Sequence, residues 1–318
     1  MDPDLHAAVR TVIRDCLAVR RGEAALVIAD GPTADLAGAL RDEAAAAGAD
    51  AVLCLMDARS TDGEEPPAPV AAALAAADVF LAPTSRSLSH TQARKRASEA
   101  GARGATLPGV TAALLARTMA VDRSALAVRC GALAAALTGA TTARVTCPAG
   151  TDLTLDLAGR QGIADDGDLR RAGAFGNLPC GEGFIAPLGG DGVLYATSLA
   201  SLGLAEQPVA LRVDGGRLTG GEGELADALG DRLRGAGGPQ GTNLAELGIG
   251  ANPSATLTGN VLEDEKILGS VHVAFGASAG IGGTVAVPVH LDCVVLDASI
   301  TLDGVPVLAA GQLVLNRA

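Results

Sequence analysis

Outside the acidic run 263–265, four side chains of metal-binding type lie within the segment 243–292. They are Glu246, His272, His290 and Asp292. The apolar segment 287–296 is typical of a buried strand, and residues two apart on a strand point to the same face. His290 and Asp292 should therefore converge on one site. An imidazole beside a carboxylate suits zinc, cobalt, manganese or iron, and suits calcium or magnesium poorly. The alternative for this pair is a histidine whose polar atoms are satisfied by its neighbour inside a polar seam.

Two glutamates stand in apolar, glycine-rich surroundings. Glu246 lies in the segment 245–250, which is typical of a strand, and a buried carboxylate without a partner is costly to ionise. A cation beside Glu246 explains this position better than chance. Glu182 lies between Gly181 and Gly183, just before an apolar strand. Glycine neighbours would let the backbone approach whatever the carboxylate binds.

An acidic run precedes Lys266 and the apolar segment 271–275. Its members are Glu263, Asp264 and Glu265. Acidic residues often begin a helix, where the helix dipole favours negative charge. The sequence therefore favours a solvated acidic cap for at least two of these three carboxylates.

The composition limits the classes of partner. The chain has 318 residues, a net charge of -12 and a pI near 4.7, and it is 48% hydrophobic but only 2% aromatic. Nucleic acids and anionic membranes require clustered Lys and Arg, so neither partner is expected. Six scattered cysteines without a Cys-x-x-Cys pair indicate reduced thiols. With no signal-peptide core and no apolar run of about 18 residues, a soluble cytoplasmic protein is expected.

The length and the pattern of elements predict two domains. Apolar runs typical of strands covered on both faces occur at 24–30, 51–56 and 78–83, with helical segments between them. This alternation predicts an open parallel α/β sheet, doubly wound or flavodoxin-like, over residues 1–140. Alternating strands and frequent glycines then predict a β-rich α+β metal-binding domain over residues 141–318.

Other local signals in the first domain give less information about function. No Gly-x-Gly-x-x-Gly follows the first strand and no Walker motif occurs, so nucleotide binding has no support. His90 lies in a hydroxyl-rich segment that opens a basic helix. A capping or surface role is favoured for His90 over contact with a substrate.

Together these motifs resemble the M29 family of metallo-aminopeptidases, the aminopeptidase T group. The segments that carry the resemblance are 87–95, 177–187, 245–247, 271–276 and 290–292. The resemblance implies a homodimer and a two-metal centre of zinc, cobalt or manganese. The ligands that it implies are Glu182, Glu246, His272, His290 and Asp292. Water activated by the metals would attack a small peptide or amide, with Glu182 and Glu246 as the first candidates for proton transfer.

One position departs from the pattern of that family. Its members have a tyrosine seven residues after the histidine that matches His272, and here that residue is Ala279. Tyr195, the only tyrosine of the chain, could replace it only if the fold brings it to the site. The missing phenol weakens the case for peptide hydrolysis more than the case for metal binding.

Two alternatives come from other classes. The motifs also resemble the 2,5-dihydroxypyridine dioxygenases, which implies a non-haem Fe(II) ring-cleaving enzyme, or another repurposed metalloenzyme, for example in secondary metabolism. Those enzymes have a histidine at the position of Glu246 and lack the counterparts of Glu182 and His272, so the ligand types favour the hydrolase. The third hypothesis is a metal-stabilised structural or binding protein without turnover.

Overall fold

The structure is a computed structural model that describes residues 2–315. Several helices begin at a side chain that accepts a backbone N–H of the first turn, namely Asp2, Thr91, Thr111 and Asp122. No helix in the described range is long and apolar enough to cross a membrane. The helices are α1 (Pro3–Arg10), α2 (Ala34–Ala46), α3 (Ala68–Ala75), α4 (Gln92–Glu99), α5 (Ala112–Met119), α6 (Arg123–Gly139), α7 (Glu224–Gly237) and α8 (Val261–Asp264).

The strands divide into two sheets. Their bounds are β1 (Ala24–Ala29), β2 (Asp50–Leu55), β3 (Val79–Ala82), β4 (Arg103–Thr106), β5 (Thr142–Thr146), β6 (Asp152–Asp156), β7 (Ile163–Asp165), β8 (Phe175–Asn177), β9 (Glu182–Ile185), β10 (Gly189–Leu199), β11 (Gly203–Asp214), β12 (Arg217–Gly221), β13 (Leu244–Gly250), β14 (Val271–Gly276), β15 (His290–Val295), β16 (Ser299–Leu302), β17 (Val305–Ala309) and β18 (Gln312–Leu313).

The chain forms two compact units. One contains the residues up to Val121 together with Gly167–Cys180, and the other contains Asp122–Asp166 and the residues from Gly181 onward. The sequence-based boundary near residue 140 follows α6, whereas the contacts of α6 with β7 and β9 group this helix with the second unit. The first unit also takes up β8 from a later part of the chain.

The sheet of the first unit is parallel, with strand order β2-β1-β3-β4-β8 in the described residues. This order is that of flavodoxin-like sheets, so the predicted open parallel α/β fold is confirmed. The apolar runs correctly located β1, β2 and β3. The sequence did not predict β4 or β8, because neither of these short strands is a continuous apolar run.

The second unit contains a large antiparallel sheet. Its order in the described part of the chain is β18-β17-β16-β5-β6-β10-β15-β14-β13-β9-β7, with β11 and β12 extending from β10. On β5 and β6 buried and exposed residues alternate, as predicted for half-buried strands. Every residue of β13 and β14 is buried, so these central strands are covered on both faces. The predicted β-rich second region is therefore confirmed as a fold class.

Phe80 lies in the hydrophobic core of the first unit, packed among apolar side chains of the sheet and its helices. Replacing Phe80 with Ala should lower the free energy of unfolding by about 3–5 kcal/mol, because the cavity left behind cannot be refilled. Urea unfolding followed by circular dichroism measures this loss. Leu55→Ala is the control, since Leu55 is 60% exposed on β2 and should change the stability by less than about 0.5 kcal/mol. Equal effects of the two substitutions would contradict this packing.

Candidate metal centre

The register of three central strands brings four of the predicted ligands to one face of the second sheet. Glu246 on β13 pairs with Ala274 on β14, and Ala274 pairs with Asp292 on β15. His272 is two residues from Ala274, and His290 is two residues from Asp292. Because residues two apart share a face of a strand, all four side chains project from the same side. The predicted convergence of His290 and Asp292 is therefore observed.

Small residues on this face leave room for the site. Gly248 pairs with His272 across β13 and β14, and a Cβ atom on Gly248 would lie 2.0 Å from His272 Nε2. Gly250 pairs with Glu182 on β9, which brings the fifth predicted ligand to the same face. Ala274 occupies the middle of the row. The imidazoles and carboxylates can therefore lean toward one another over a surface without bulky side chains.

The five predicted ligands form two groups that share Glu246. In the first group, His272 Nε2 lies 2.9 Å from Glu182 Oε2 and 3.3 Å from Glu246 Oε1. In the second group, His290 Nε2 lies 3.2 Å from Glu246 Oε2 and 3.5 Å from Asp292 Oδ1. Each group has three ligand atoms close enough to surround one metal ion. The two oxygens of Glu246 thus face one imidazole each.

Individual atoms of the cluster fit a bound cation. His272 Nδ1 is buried without a hydrogen-bond partner within residues 2–315, and Glu182 Oε2 is buried 2.9 Å from His272 Nε2 in a geometry that does not satisfy a hydrogen bond. His290 Nδ1 lies 2.7 Å from the carbonyl oxygen of Ala277. Donation of a proton to that carbonyl would direct His290 Nε2 toward the carboxylates, as the second nitrogen of a metal-bound histidine commonly does. The donor set of imidazole and carboxylate suits zinc, cobalt, manganese or iron.

Three further charged residues complete the cluster, and none of them is predicted from the sequence to belong to it. Lys266 Nζ lies 2.5 Å from Glu182 Oε1, 2.8 Å from Glu265 Oε1 and 3.5 Å from Asp165 Oδ2. Glu265 also forms a third group of metal-binding type with His272 and Asp292. The one available signal was the adjacency of Glu265 and Lys266 before an apolar strand, which local sequence alone cannot distinguish from a surface pair.

The burial of so many acids perturbs their ionisation. Burial raises the pKa of Asp165 to about 7 and that of Glu265 to about 8, even though Lys266 lowers both. Glu246 behaves differently, because hydrogen bonds from His272 and His290 outweigh the effect of burial and lower its pKa to about 2. Burial lowers the pKa of both histidines, but the neighbouring carboxylates more than reverse this and raise it well above the usual value. The cluster therefore attracts positive charge strongly.

The solvated acidic cap expected for the run 263–265 is wrong, since all three carboxylates are buried. Glu263 accepts hydrogen bonds from the backbone and hydroxyl of Thr256. Asp264 accepts from Ser198 Oγ at 2.7 Å and from the backbone N–H groups of residues 258 and 259. These acids hold the loop before α8, because its backbone donors need acceptors when they are buried.

The glycines beside Glu182 have a packing role. A Cβ atom on Gly183 would lie 2.5 Å from the Cβ of Leu133 on α6, and one on Gly181 would lie 2.7 Å from the Cβ of Asn252. These glycines bring the strand close to its covering helix and loop. This close packing explains both glycines, without the expected approach of the backbone to a ligand of Glu182.

Tyr195 and His90, the two other residues considered from the sequence, lie outside the cluster of predicted ligands. The ring of Tyr195 packs over Gly150 in the turn between β5 and β6, and no described contact joins it to the five predicted ligands. Tyr195 therefore does not replace the phenol missing at Ala279, which is exposed in a short 3₁₀ turn. His90 belongs to the first unit and is half-buried, and the cap of α4 is Thr91.

Access to the cluster differs between its two groups. The side chains of His290 and Asp292 are 11% and 14% exposed, whereas those of Glu182 and His272 are 6% and 1% exposed. A small molecule can thus approach the second group most directly. The first group lies deeper, where water is largely excluded.

Comparison with known proteins gives a family and a fold. The family model of the 2,5-dihydroxypyridine 5,6-dioxygenases matches residues 4–315. The 2,5-dihydroxypyridine dioxygenase from Pseudomonas putida KT2440 is similar in structure, with a TM-score of 0.80 and 20% identity over 98% of this chain and 97% of that chain. Wild-type AmpT from Thermus thermophilus is also similar, with a TM-score of 0.70 and 20% identity over 98% and 99% of the two chains. The search of curated proteins gave no match. At this identity, the two structures show a shared fold.

Gly248→Ala tests whether the empty space beside His272 builds the centre. The new methyl group must displace the imidazole, so we expect a loss of about 1–3 kcal/mol in the free energy of unfolding and a lower metal content per chain. Urea unfolding and elemental analysis measure these two effects. Gly220→Ala on β12 is the control, because a Cβ atom there meets nothing within 4 Å. Unchanged metal content in Gly248→Ala would show that the ring position is not critical.

Proposed function

The chain belongs to the 2,5-dihydroxypyridine 5,6-dioxygenase family. From its ligand set we propose that this member is a metalloenzyme whose ligands bind two divalent ions and whose reaction is the hydrolysis of a small amide. The observation that carries this proposal is the pair of ligand groups joined by Glu246. A carboxylate with each oxygen facing a different imidazole is suited to bridge two ions. The shared fold is compatible with this proposal, since one fold supports several chemistries.

The ligand types argue against a simple mononuclear iron site. Non-haem Fe(II) oxygenases commonly bind the metal through two histidines and one carboxylate. Here each of the two groups has one histidine and two carboxylates, with Glu246 counted in both. Such carboxylate-rich pairs suit two-metal hydrolases, in which the ions stabilise negative charge on both the attacking and the leaving group.

The charge of the cluster can accommodate up to two divalent ions. With neutral imidazoles and every carboxylate ionised, five carboxylates and one ammonium leave four negative charges in a largely buried space, which two divalent cations would neutralise. The raised pKa values of Asp165 and Glu265 favour protonation of these two acids when no second ion is bound, and the charge that then remains is balanced by one divalent cation. Unpaired buried charges are strongly unfavourable, so protons or ions must accompany these carboxylates. The carboxylates in this count are Asp165, Glu182, Glu246, Glu265 and Asp292.

The predicted ligands would have different roles in hydrolysis, according to their positions in the cluster. Zinc, cobalt or manganese ions held here would polarise a substrate carbonyl and lower the pKa of a water molecule. Glu246 holds the two groups at a fixed separation, so its role becomes that of a shared ligand. Glu182 Oε2 is buried and faces His272 Nε2 at 2.9 Å, so it can hold either a cation or a proton beside that imidazole. His290 and Asp292 form the more exposed side, where a small amide would enter. Because Ala279 offers no phenol, non-peptide amides belong among the test substrates.

A ring-cleaving Fe(II) dioxygenase is the second candidate. The family match over residues 4–315 favours it, as does the higher TM-score of the dioxygenase structure. In this reading one iron would bind Glu246, His290 and Asp292, and the more exposed position of that group would admit an aromatic substrate. The two candidates differ in metal number and in oxygen use, so one set of measurements separates them.

Metal analysis of the purified protein tests the proposal directly. We expect two divalent ions per chain and release of free amine from dipeptides or aryl amides. Glu246→Gln should remove both ions and lower amine release by at least about 100-fold, because it weakens both groups at once. Glu206→Gln is the matched control, since Glu206 is exposed on β11. Loss of amine release on treatment with a chelator, and its return with zinc, cobalt or manganese, completes the test.

A different set of results would support the dioxygenase. One iron per chain, oxygen uptake with 2,5-dihydroxypyridine and no amine release would contradict the hydrolase. Metal binding that stabilises the fold, with neither amine release nor oxygen uptake, would indicate a structural site without turnover.

A further inference from the structure

Lys266 is an unusual residue in this chain. Only two of its 24 lysine and arginine residues are lysines, and they are Lys95 and Lys266. Lys95 is exposed, whereas Lys266 is 1% exposed in the turn after α8. A chain that uses arginine at nearly all of its basic positions therefore has a lysine inside its acidic cluster. An ammonium is a compact point charge, which can sit among three carboxylates where a planar guanidinium is too wide.

The strand register explains why a cation is needed at this point. Asp165 on β7 and Glu182 on β9 are directly opposite each other. Like charges in such a pair destabilise the sheet. Lys266 Nζ reaches both carboxylates and also contacts Glu265.

The two oxygens of Glu182 have different neighbours. Oε1 contacts Lys266 Nζ, and Oε2 faces His272 Nε2 at 2.9 Å. A carboxylate held through one oxygen cannot rotate freely, so the contact with Lys266 directs the other oxygen into the first ligand group. We propose that Lys266 is a positioning residue that acts through Glu182 to set the affinity for the ion held by Glu182, Glu246 and His272. This inference rests on the proposed two-metal centre and adds to it the residue that controls one of the two positions.

The geometry distinguishes this role from simple competition between the ammonium and an ion. Lys266 contacts the oxygen of Glu182 that points away from His272, so the ligand oxygen stays available. Its other partners, Glu265 and Asp165, belong to neither of the two groups that share Glu246. The second group, with His290 and Asp292, has no ion pair to Lys266 among the described contacts.

A double-mutant cycle on metal affinity tests the inference. Cobalt(II) is titrated into metal-free protein, with calorimetry for the affinity of each position and the visible spectrum of cobalt as a second readout. In Lys266→Met we expect one of two ions to bind about 10–100-fold more weakly, with the other unchanged. In a Glu182→Gln background, Lys266→Met should cause no further loss, because its effect passes through Glu182.

The controls separate positioning from folding. Lys95→Met makes the same substitution at the exposed lysine and should leave both affinities unchanged. Should Lys266→Met fail to fold by circular dichroism, Lys266→Arg keeps the charge and takes its place in the cycle. It should weaken the same ion, because a guanidinium cannot occupy the position of the ammonium.

Either of two results would overturn the inference. One is unchanged or tighter binding of both ions without the lysine, which would make the ammonium a competitor or a bystander. The other is an equal loss of affinity in the wild-type and Glu182→Gln backgrounds, which would separate Lys266 from Glu182. The hydrolase proposal is judged separately, since two bound ions without amine release would contradict hydrolysis and leave the role of Lys266 intact.

Discussion

The near-complete burial of five carboxylates that are linked through Lys266, His272 and His290 is the constraint on which the rest of the site depends. Each carboxylate loses hydration when the second unit folds, and each repels its neighbours across a poorly screened interior. This lost hydration and repulsion are offset in part by the ammonium of Lys266 and by hydrogen bonds to the imidazoles. The raised pKa values of Asp165 and Glu265 also favour the uncharged form of these two acids. The remaining negative charge is what makes the cluster a strong candidate for divalent cations.

The antiparallel sheet supplies the rigidity that such a cluster needs. Four neighbouring strands, β9, β13, β14 and β15, each contribute predicted ligands to one face, and their register sets which side chains meet. The small residues Gly248 and Ala274 on that face matter as much as the ligands, because they provide the volume that the imidazoles occupy. A side chain placed on a central strand is held more precisely than one on a loop.

Family membership concerns the origin of the whole chain, whereas the ligand set concerns its chemistry. The dioxygenase family establishes the ancestry of the whole chain from residue 4 to residue 315, while the chemistry depends on a few side chains that a shared fold does not determine. A second carboxylate in place of a histidine changes which metals bind, how many bind and which reactions they support. The residues around Glu246 and Lys266 are therefore the ones that distinguish the two proposed reactions.

Local pattern in the sequence determined the strand that carries His290 and Asp292, the apolar strand around Glu246 and the alternation that predicts the parallel sheet, because these signals depend on residues a few positions apart. The resemblance of motifs to known enzymes added Glu182 and His272. Only the tertiary structure decided that Asp165, Glu265 and Lys266 complete the cluster, since Lys266 and Glu182 are 84 residues apart in the chain. It also buried Glu263, Asp264 and Glu265, although short-range reasoning placed at least two of these three acids in solvent. A charged residue has the same local sequence signature whether it faces water or a buried partner, and only strand register and packing distinguish the two.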